Sequence, residues 1–270
     1  MSNRIYRHVE MAPNILYHVA SFAISQEEST RGSSMAKASL RPASAFTEIY
    51  NILLKTYGRQ RWWPVTPPGG DVPEYTGGPR NELQRFEVAV GAMLTQNTAW
   101  LNAARAIGNL NRAGALNPER LSTIDARKLT ALIRPAGYYN QKAKRLRQLA
   151  HFFQSEEKVT RESLLALDGV GPETADSILL YAYGRLKFII DAYTRRIFSR
   201  LGLLDTNATY DAAQAAFREN IPRKMLIYKE FHALIVEHAK RHCRVKPVCE
   251  GCALLSRCTE GNLNKKKNCR

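Results

Sequence analysis

Three groups of residues in this 270-residue chain have the types and spacing to do chemistry. The first is a turn and an acid. Gly169-Val170-Gly171 lies between two helix-like segments, and Asp191 follows twenty residues after Gly171, at the end of the apolar run Phe188-Ile189-Ile190. Glycines on either side of one apolar residue allow the backbone to approach a ligand closely. The amides of such a turn, and of the helix that follows it, can cradle a phosphate oxygen. A carboxylate beyond the cradle, just ahead of Arg195-Arg196, could act on whatever carries that phosphate. The plainer alternatives are a tight helix–helix connection for the glycines and an ordinary helix N-cap for Asp191. Both can coexist with function.

The second group is Cys243-x5-Cys249-x2-Cys252-x5-Cys258. Four soft ligands this close suit a [4Fe–4S] cluster or Zn²⁺, and spacing alone does not choose between them. Clustered cysteines point to a metal site in a reducing compartment rather than to disulfides. Cys269 falls outside the spacing and is expected to be a free thiol. The third group is Trp62, Trp63 and Trp100, the only three tryptophans. Their rings could stack a base or hold a cation, or simply fill a core.

The net charge of +16 and a pI near 9.8 favour a polyanionic partner, nucleic acid first. Hydrophobic residues make up 44%, enough for a real core. No apolar run is long enough to span a membrane, and the N-terminus lacks the uninterrupted apolar stretch of a secretory signal.

The elements that must position these groups read as helices. Ile49, Leu53 and Tyr57 share a face of a helix over 45–57. Phe86, Val90, Met93 and Leu94 mark the next, from about Asn81 to the turn Leu94-Thr95-Gln96-Asn97-Thr98, with Thr98 capping a further helix through Trp100, Ala104 and Ile107. Short helices are expected near 117–123 and 125–134. A longer one over 139–156 turns Ala143, Leu146, Leu149, Ala150 and Phe153 inward and leaves Lys142, Lys144, Arg145 and Arg147 on other faces. Further helices are expected near 191–202, 208–219 and 223–241. The Pro/Gly-rich loop 67–79 is long for a compact domain. Residues 1–44 carry no sustained period and read as a flexible or spurious extension, with Met35 as a second candidate start. Residues 263–270 form a basic tail. The fold class is all-α.

Taken together, LDGVGPETADSILL and FIIDAYTRRIFSRLG resemble the helix–hairpin–helix and Gly/Pro–Asp signature of the endonuclease III superfamily of DNA glycosylases. LTQNT at 94–98 and RPAGYYNQKAKRL at 134–146 match the same superfamily. WWP at 62–64 and GPETADSILLYA are similar to the MagIII-type 3-methyladenine glycosylase subgroup.

The resemblance implies two helical lobes, 82–186 with the hairpin and 45–81 plus 187–262 with the cysteine cluster, and Asp191 as the catalytic acid at the cleft between them. It implies Gln96, Gly169, Val170, Gly171, Arg244 and Lys246 as DNA contacts. Trp62, Trp63, Trp100, Glu173 and Lys240 would form the base pocket. The superfamily's C-x6-C-x2-C-x5-C pattern implies a [4Fe–4S] cluster on Cys243, Cys249, Cys252 and Cys258, with zinc less favoured; the first spacing here is one residue shorter. Glu173 stands where strand-cutting members carry a lysine, and a carboxylate cannot form their Schiff base. Ala92 stands where the adenine-mismatch branch needs a second acid. The expectation is therefore a monofunctional glycosylase removing alkylated purines. It would be an intracellular, nucleoid-associated monomer acting on double-stranded DNA that contains damaged bases. The rivals are an endonuclease III-like glycosylase/lyase for oxidised pyrimidines and a DNA-binding module without catalysis.

Overall fold

The computed structural model describes residues 44–155 and 158–261. The extension 1–44, Ser44 apart, lies outside the described residues, as do the basic tail and Cys269. Eleven α-helices are present among the described residues: α1 (Ala45–Tyr57), α2 (Glu82–Leu94), α3 (Trp100–Arg112), α4 (Pro118–Thr123), α5 (Ala126–Ile133), α6 (Tyr139–Gln154), α7 (Arg161–Leu165), α8 (Pro172–Tyr181), α9 (Ala192–Arg200), α10 (Tyr210–Asn220) and α11 (Met225–Arg241). The class is all-α, and the one β-type pairing among the described residues is the isolated bridge Val65–Glu74.

Local chemistry sets most of the starts. Ser44, Asn81, Asn117, Asp125, Thr160, Asp191 and Thr209 each accept an amide hydrogen of the first turn they precede. The expected cap at Thr98 is not used. Ala99 occupies the N-cap of α3 and makes no side-chain bond.

Two helices are buried on nearly every side, α2 over Phe86–Leu94 and α11 over Tyr228–Ala239, as expected of helices wrapped by others. Helix α2 packs against α3, α6 and α8, whereas α11 packs against α1, α8 and α9. Helix α8, the second helix of the hairpin, therefore touches both hubs. Beneath Asp191 lies an aromatic cluster in which Phe188 stacks on Phe217 at 4.0 Å, with Phe46 and Phe198 within 4.9 Å of the same ring.

The apolar run before Asp191 is buried but forms no strand, because no neighbouring strand is there to pair with it. Side chains of α10 take over the job: Gln214 donates to the Phe188 carbonyl at 2.7 Å, and the Ile190 amide donates to the Tyr210 hydroxyl at 3.4 Å.

Lys142 departs from the expected pattern. It is not on an outer face with Lys144 and Arg145 but is 2% exposed. Its ammonium donates to the carbonyls of Leu94 (2.8 Å), Gln96 (2.9 Å) and Ala136 (2.8 Å). It thereby caps the C-terminus of α2, where unpaired carbonyls and the helix dipole favour a cation. Burial, and then the charge of Arg145, draws its pKa down to about 8. On the same helix Phe152 is buried and Phe153 only half-buried. Replacing Lys142 with Met keeps the stem but strands three carbonyls. Chemical denaturation of Lys142→Met is expected to show a loss of about 2–3 kcal/mol, the cost of buried polar groups left without partners.

Candidate active site

Asp191 is the N-cap of α9. Its Oδ1 accepts the Thr194 amide at 2.6 Å. Only 8% of the residue is exposed. Its Oδ2 lies 3.5 Å from His232 Nε2. Burial works to raise its carboxyl pKa, but the His232 contact and charge, together with the Thr194 bonds, outweigh it and hold the pKa below the ordinary aspartate value. Asp191 is thus an ionised carboxylate in a nearly dry setting.

Four aromatic residues crowd the same place. The Trp62 ring lies 5.8 Å from the His232 ring and 6.2 Å from Tyr181. Trp63 is 5.8 Å from Trp62, 5.1 Å from Tyr181 and 5.6 Å from Trp100. Trp63 is 5% exposed and packs over Gly91, where an added Cβ would meet its indole nitrogen at 3.1 Å. It backs the wall, while half-buried Trp62 faces outward. Lys240 Nζ sits 5.8 Å from the centre of the Trp62 ring, so one face of that ring already holds a cation.

Two buried carboxylates pin the segment that carries these tryptophans. Glu230 of α11 accepts the amides of Gln60 (2.7 Å) and Arg61 (3.0 Å). Glu87 of α2 accepts both the amide and the hydroxyl of Thr66, at 2.8 and 2.7 Å. Gln84 completes the hold by donating to the Thr66 carbonyl at 2.9 Å. The Trp62–Trp63 peptide between these clamps is cis.

Glu173, in the first turn of α8, reaches solvent but is crowded by protein. That partial desolvation, and then the negative charge of Asp191, raises its carboxyl pKa above the ordinary value, against a smaller pull from His232 and Arg195. The two acids are therefore electrostatic neighbours with opposite shifts.

In the hairpin turn only Gly169 needs to be glycine, with φ at +73° and the Arg145 side chain lying where a Cβ would go. Gly171 has extended backbone and open space around it. Val170 is buried, and its amide donates to the Leu167 carbonyl at 3.1 Å, so it anchors the turn and offers no free donor. Gln96 does not project freely from its turn. Its Nε2 donates to the Gly169 carbonyl and to the Thr174 hydroxyl, both at 2.9 Å.

Cys243, Cys249, Cys252 and Cys258 are unbridged and line one cavity with Ile197, Leu201 and Leu254. Arg200 at the far end of α9 donates to Cys243 Sγ (3.4 Å) and to the carbonyls of Arg244 (2.7 Å) and Val245 (2.9 Å). The four thiols line one cavity and N–H donors of Arg200 and Gly261 are aimed at two of the sulfurs, a soft donor set by chemistry, but among the described residues no three such ligands are grouped to hold a metal ion. Arg244 and Lys246 are exposed on that loop.

Residues 90–223 match the family described as HhH-GPD superfamily base excision DNA repair protein. A candidate DNA repair glycosylase of Methanocaldococcus jannaschii is 45% identical over 224 residues, covering 78% of this chain and 94% of that protein. The chain belongs to the HhH-GPD superfamily. It is a DNA repair N-glycosylase. The superfamily's endonuclease III of Sulfolobus acidocaldarius is 29% identical, covering 64% of this chain and 81% of that protein. The crystal structure of H. pylori 3-methyladenine DNA glycosylase (MagIII) bound to 1,N6-ethenoadenine aligns with a TM-score of 0.58 at 30% identity, over 73% of this chain and 97% of that one. A non-covalent endonuclease III–DNA complex aligns with a TM-score of 0.68 at 20% identity, over 82% of this chain and 96% of that one, a likeness of fold. No described helix is long and apolar enough to cross a membrane.

Sequence reasoning had singled out Asp191, Glu173, the tryptophans and Lys240, and these converge here. It missed His232, Tyr181 and Glu230. Their signal was present: in a helix as apolar as α11, Glu230 and His232 are polar residues that face inward.

The pH dependence follows from Asp191. Because folding lowers its pKa, it contributes stability that is fully present above the unfolded value, about 3.9, and is lost as pH falls through the folded value. Asp191→Asn keeps a cap acceptor of equal quality. Denaturation of this variant at neutral pH is expected to match the wild type within about 1 kcal/mol, and its stability should fall less steeply in acid.

Proposed function

We propose that this glycosylase is monofunctional and hydrolyses the N-glycosidic bond of alkylated purines, 3-methyladenine-like, in double-stranded DNA, leaving an abasic site. The observation that carries the reading is Glu173, a carboxylate coupled to Asp191 at the edge of an aromatic wall, where a lyase would need an amine. A purine methylated on a ring nitrogen is cationic. Electron-rich rings and a pair of acids attract it, and it leaves as a neutral base with little need for a general acid. The likeness to the H. pylori 3-methyladenine glycosylase supports the same substrate class. The four-cysteine loop and the S. acidocaldarius relative favour the second reading, an endonuclease III-like enzyme for oxidised pyrimidines.

The target nucleotide must leave the stack to be cut. Its base would lie against Trp62, with Trp63 and Trp100 behind and Lys240 at the rim. Gln96 would face the gap left in the duplex. The amides of Gly169 and Gly171 and the side chains of Arg244 and Lys246 would hold phosphates, which position the duplex without reading its sequence. As the C1′–N bond breaks, its electron pair leaves with the base. The oxocarbenium charge on the sugar is then stabilised by the Asp191 carboxylate.

We further assign α2–α8 and α1 with α9–α11 to two lobes meeting at Asp191, in a monomer working on intracellular, nucleoid DNA. Cys243, Cys249, Cys252 and Cys258 would hold a [4Fe–4S] cluster in preference to zinc. Such a group would cross-link the loop that presents Arg244 and Lys246.

Purified protein incubated with duplexes carrying a methylated purine, an oxidised pyrimidine or an abasic site separates the readings. Alkali-dependent breaks on the methylated duplex alone are expected, and direct nicking of the oxidised one would overturn the proposal. Asp191→Asn should lose at least about a hundredfold in rate. Glu173→Lys should yield a borohydride-trappable adduct on abasic DNA that the wild type does not give. Because Glu173 has a raised pKa, activity should fall as it protonates above the usual glutamate range. Glu173→Gln should remove that limb from the pH–rate profile.

A further inference from the structure

Asp176 takes no part in the chemistry assigned to Asp191 and Glu173, yet it is wholly buried on α8, about a turn beyond the glycines. Its two oxygens face different elements. Oδ1 accepts Arg161 Nε of α7 at 3.0 Å. Oδ2 accepts Gln214 Nε2 of α10 at 2.8 Å. Arg161 also reaches Asp211, in the first turn of α10, at 3.4 Å. Asp176 thus joins both helices of the hairpin to α10.

Gln214 Nε2 also donates to the Phe188 carbonyl, at 2.7 Å. Both of its neighbours are acceptors, so the nitrogen is the end of the amide that faces them. Tyr210, on the same helix, accepts the Ile190 amide at 3.4 Å. Burial, and then the negative charge of Asp176, pushes the Tyr210 pKa up, so it stays a phenol. Among the described residues these are the only hydrogen bonds made by the backbone of 188–190. The run has no strand to pair with, and Asp191 is its next residue. Apolar packing holds it in the core but is non-directional. Its direction comes from Gln214 and Tyr210.

We propose that Asp176 is a positioning residue for catalysis: through Gln214 it fixes the carboxylate of Asp191 relative to the hairpin that grips the DNA backbone. This rests on the reading of Asp191 as the acid facing the sugar charge, and of the hairpin as the phosphate grip, and it deepens both. The hairpin sets where the sugar lies, and Asp191 must meet the charge that develops there. One buried carboxylate bonds to the frame of the first and to the support of the second. A shift of about 1 Å between the two could cost about a hundredfold in rate.

The test reads that alignment and needs no particular damaged base. Affinity is measured for two duplexes. One carries a tetrahydrofuran abasic analogue, which is neutral; the other carries a pyrrolidine analogue, which is cationic where the reacting sugar becomes charged. The wild type is expected to prefer the cation by at least about tenfold, because opposite charges attract strongly in a partly desolvated site. Gln214→Leu cuts the link and leaves the Arg161 pair in place. It should bind the neutral analogue within about threefold of wild type and lose the preference for the cation. Gln214→Lys returns a donor to both acceptors and should recover most of that preference. Asp176→Asn keeps the volume, but its amide can accept from only one of Arg161 and Gln214. It should lose the preference too, and should add little when combined with Gln214→Leu. A role in stability alone would lower the melting temperature of these variants, leave the preference intact and so overturn the proposal. If Asp176→Asn does not fold, Gln214→Leu decides the matter, since that side chain is only half-buried. A cation preference in Gln214→Leu within about threefold of wild type would overturn the proposal, as would neutral-analogue binding lost in step with it. A wild type without the preference would overturn the reading of Asp191 beneath it, so the two failures are told apart.

Discussion

A carboxylate kept charged where there is almost no water is the constraint on which the rest of this fold depends. Asp191 is tolerable there only because an amide of α9 and an imidazole of α11 face its two oxygens. Each partner is fixed in turn. Helix α9 is seated on the phenylalanine cluster through Phe198, and His232 is fixed by Tyr181 of α8. Moving any of the three helices would leave a buried charge without its compensation. The aromatic core and the polar site are therefore a single packing problem.

Helix α8 belongs to both halves of that problem. Its first turn offers Glu173 and follows the glycine turn, and its last residue, Tyr181, reaches the histidine. Gln96 ties the same hairpin back to the turn after α2 through its side-chain amide, and Lys142 of α6 holds that turn from the other side through an ammonium shared among three carbonyls. The glycine turn and the turn after α2 are thus bonded to one another beneath the surface.

Much of this was legible in the amino-acid order. Helical periods and the glycine turn located most of the helices, because those signals are local. The acid, Glu173 and the tryptophans were legible through motif spacing. Lys142 and His232 were not. A lysine in a basic, amphipathic helix looks like a solvated one, and only the approach of the α2 C-terminus makes burial favourable. His232 acquires meaning from Tyr181, fifty-one positions earlier, and pairings over such distances leave no period to read. Phe188–Ile190 has residue types that suit a strand, but a strand also needs a partner, which composition cannot supply.

With the base placed against Trp62 as proposed, the two carboxylate clamps on the tryptophan segment have a consequence for how it is chosen. Gln60, Arg61 and Thr66 spend their amides on Glu230 and Glu87, so the wall has little conformational freedom left to lose when a nucleotide arrives. Ordering a loop of this size on binding would consume interaction energy at roughly 1–2 kcal/mol per residue. Here that cost is met during folding, and the contact energy of the extruded base remains available to offset unstacking. A rigid wall also cannot reshape itself around a wrong base. Discrimination then falls on the shape and charge that the base brings to a surface already in place.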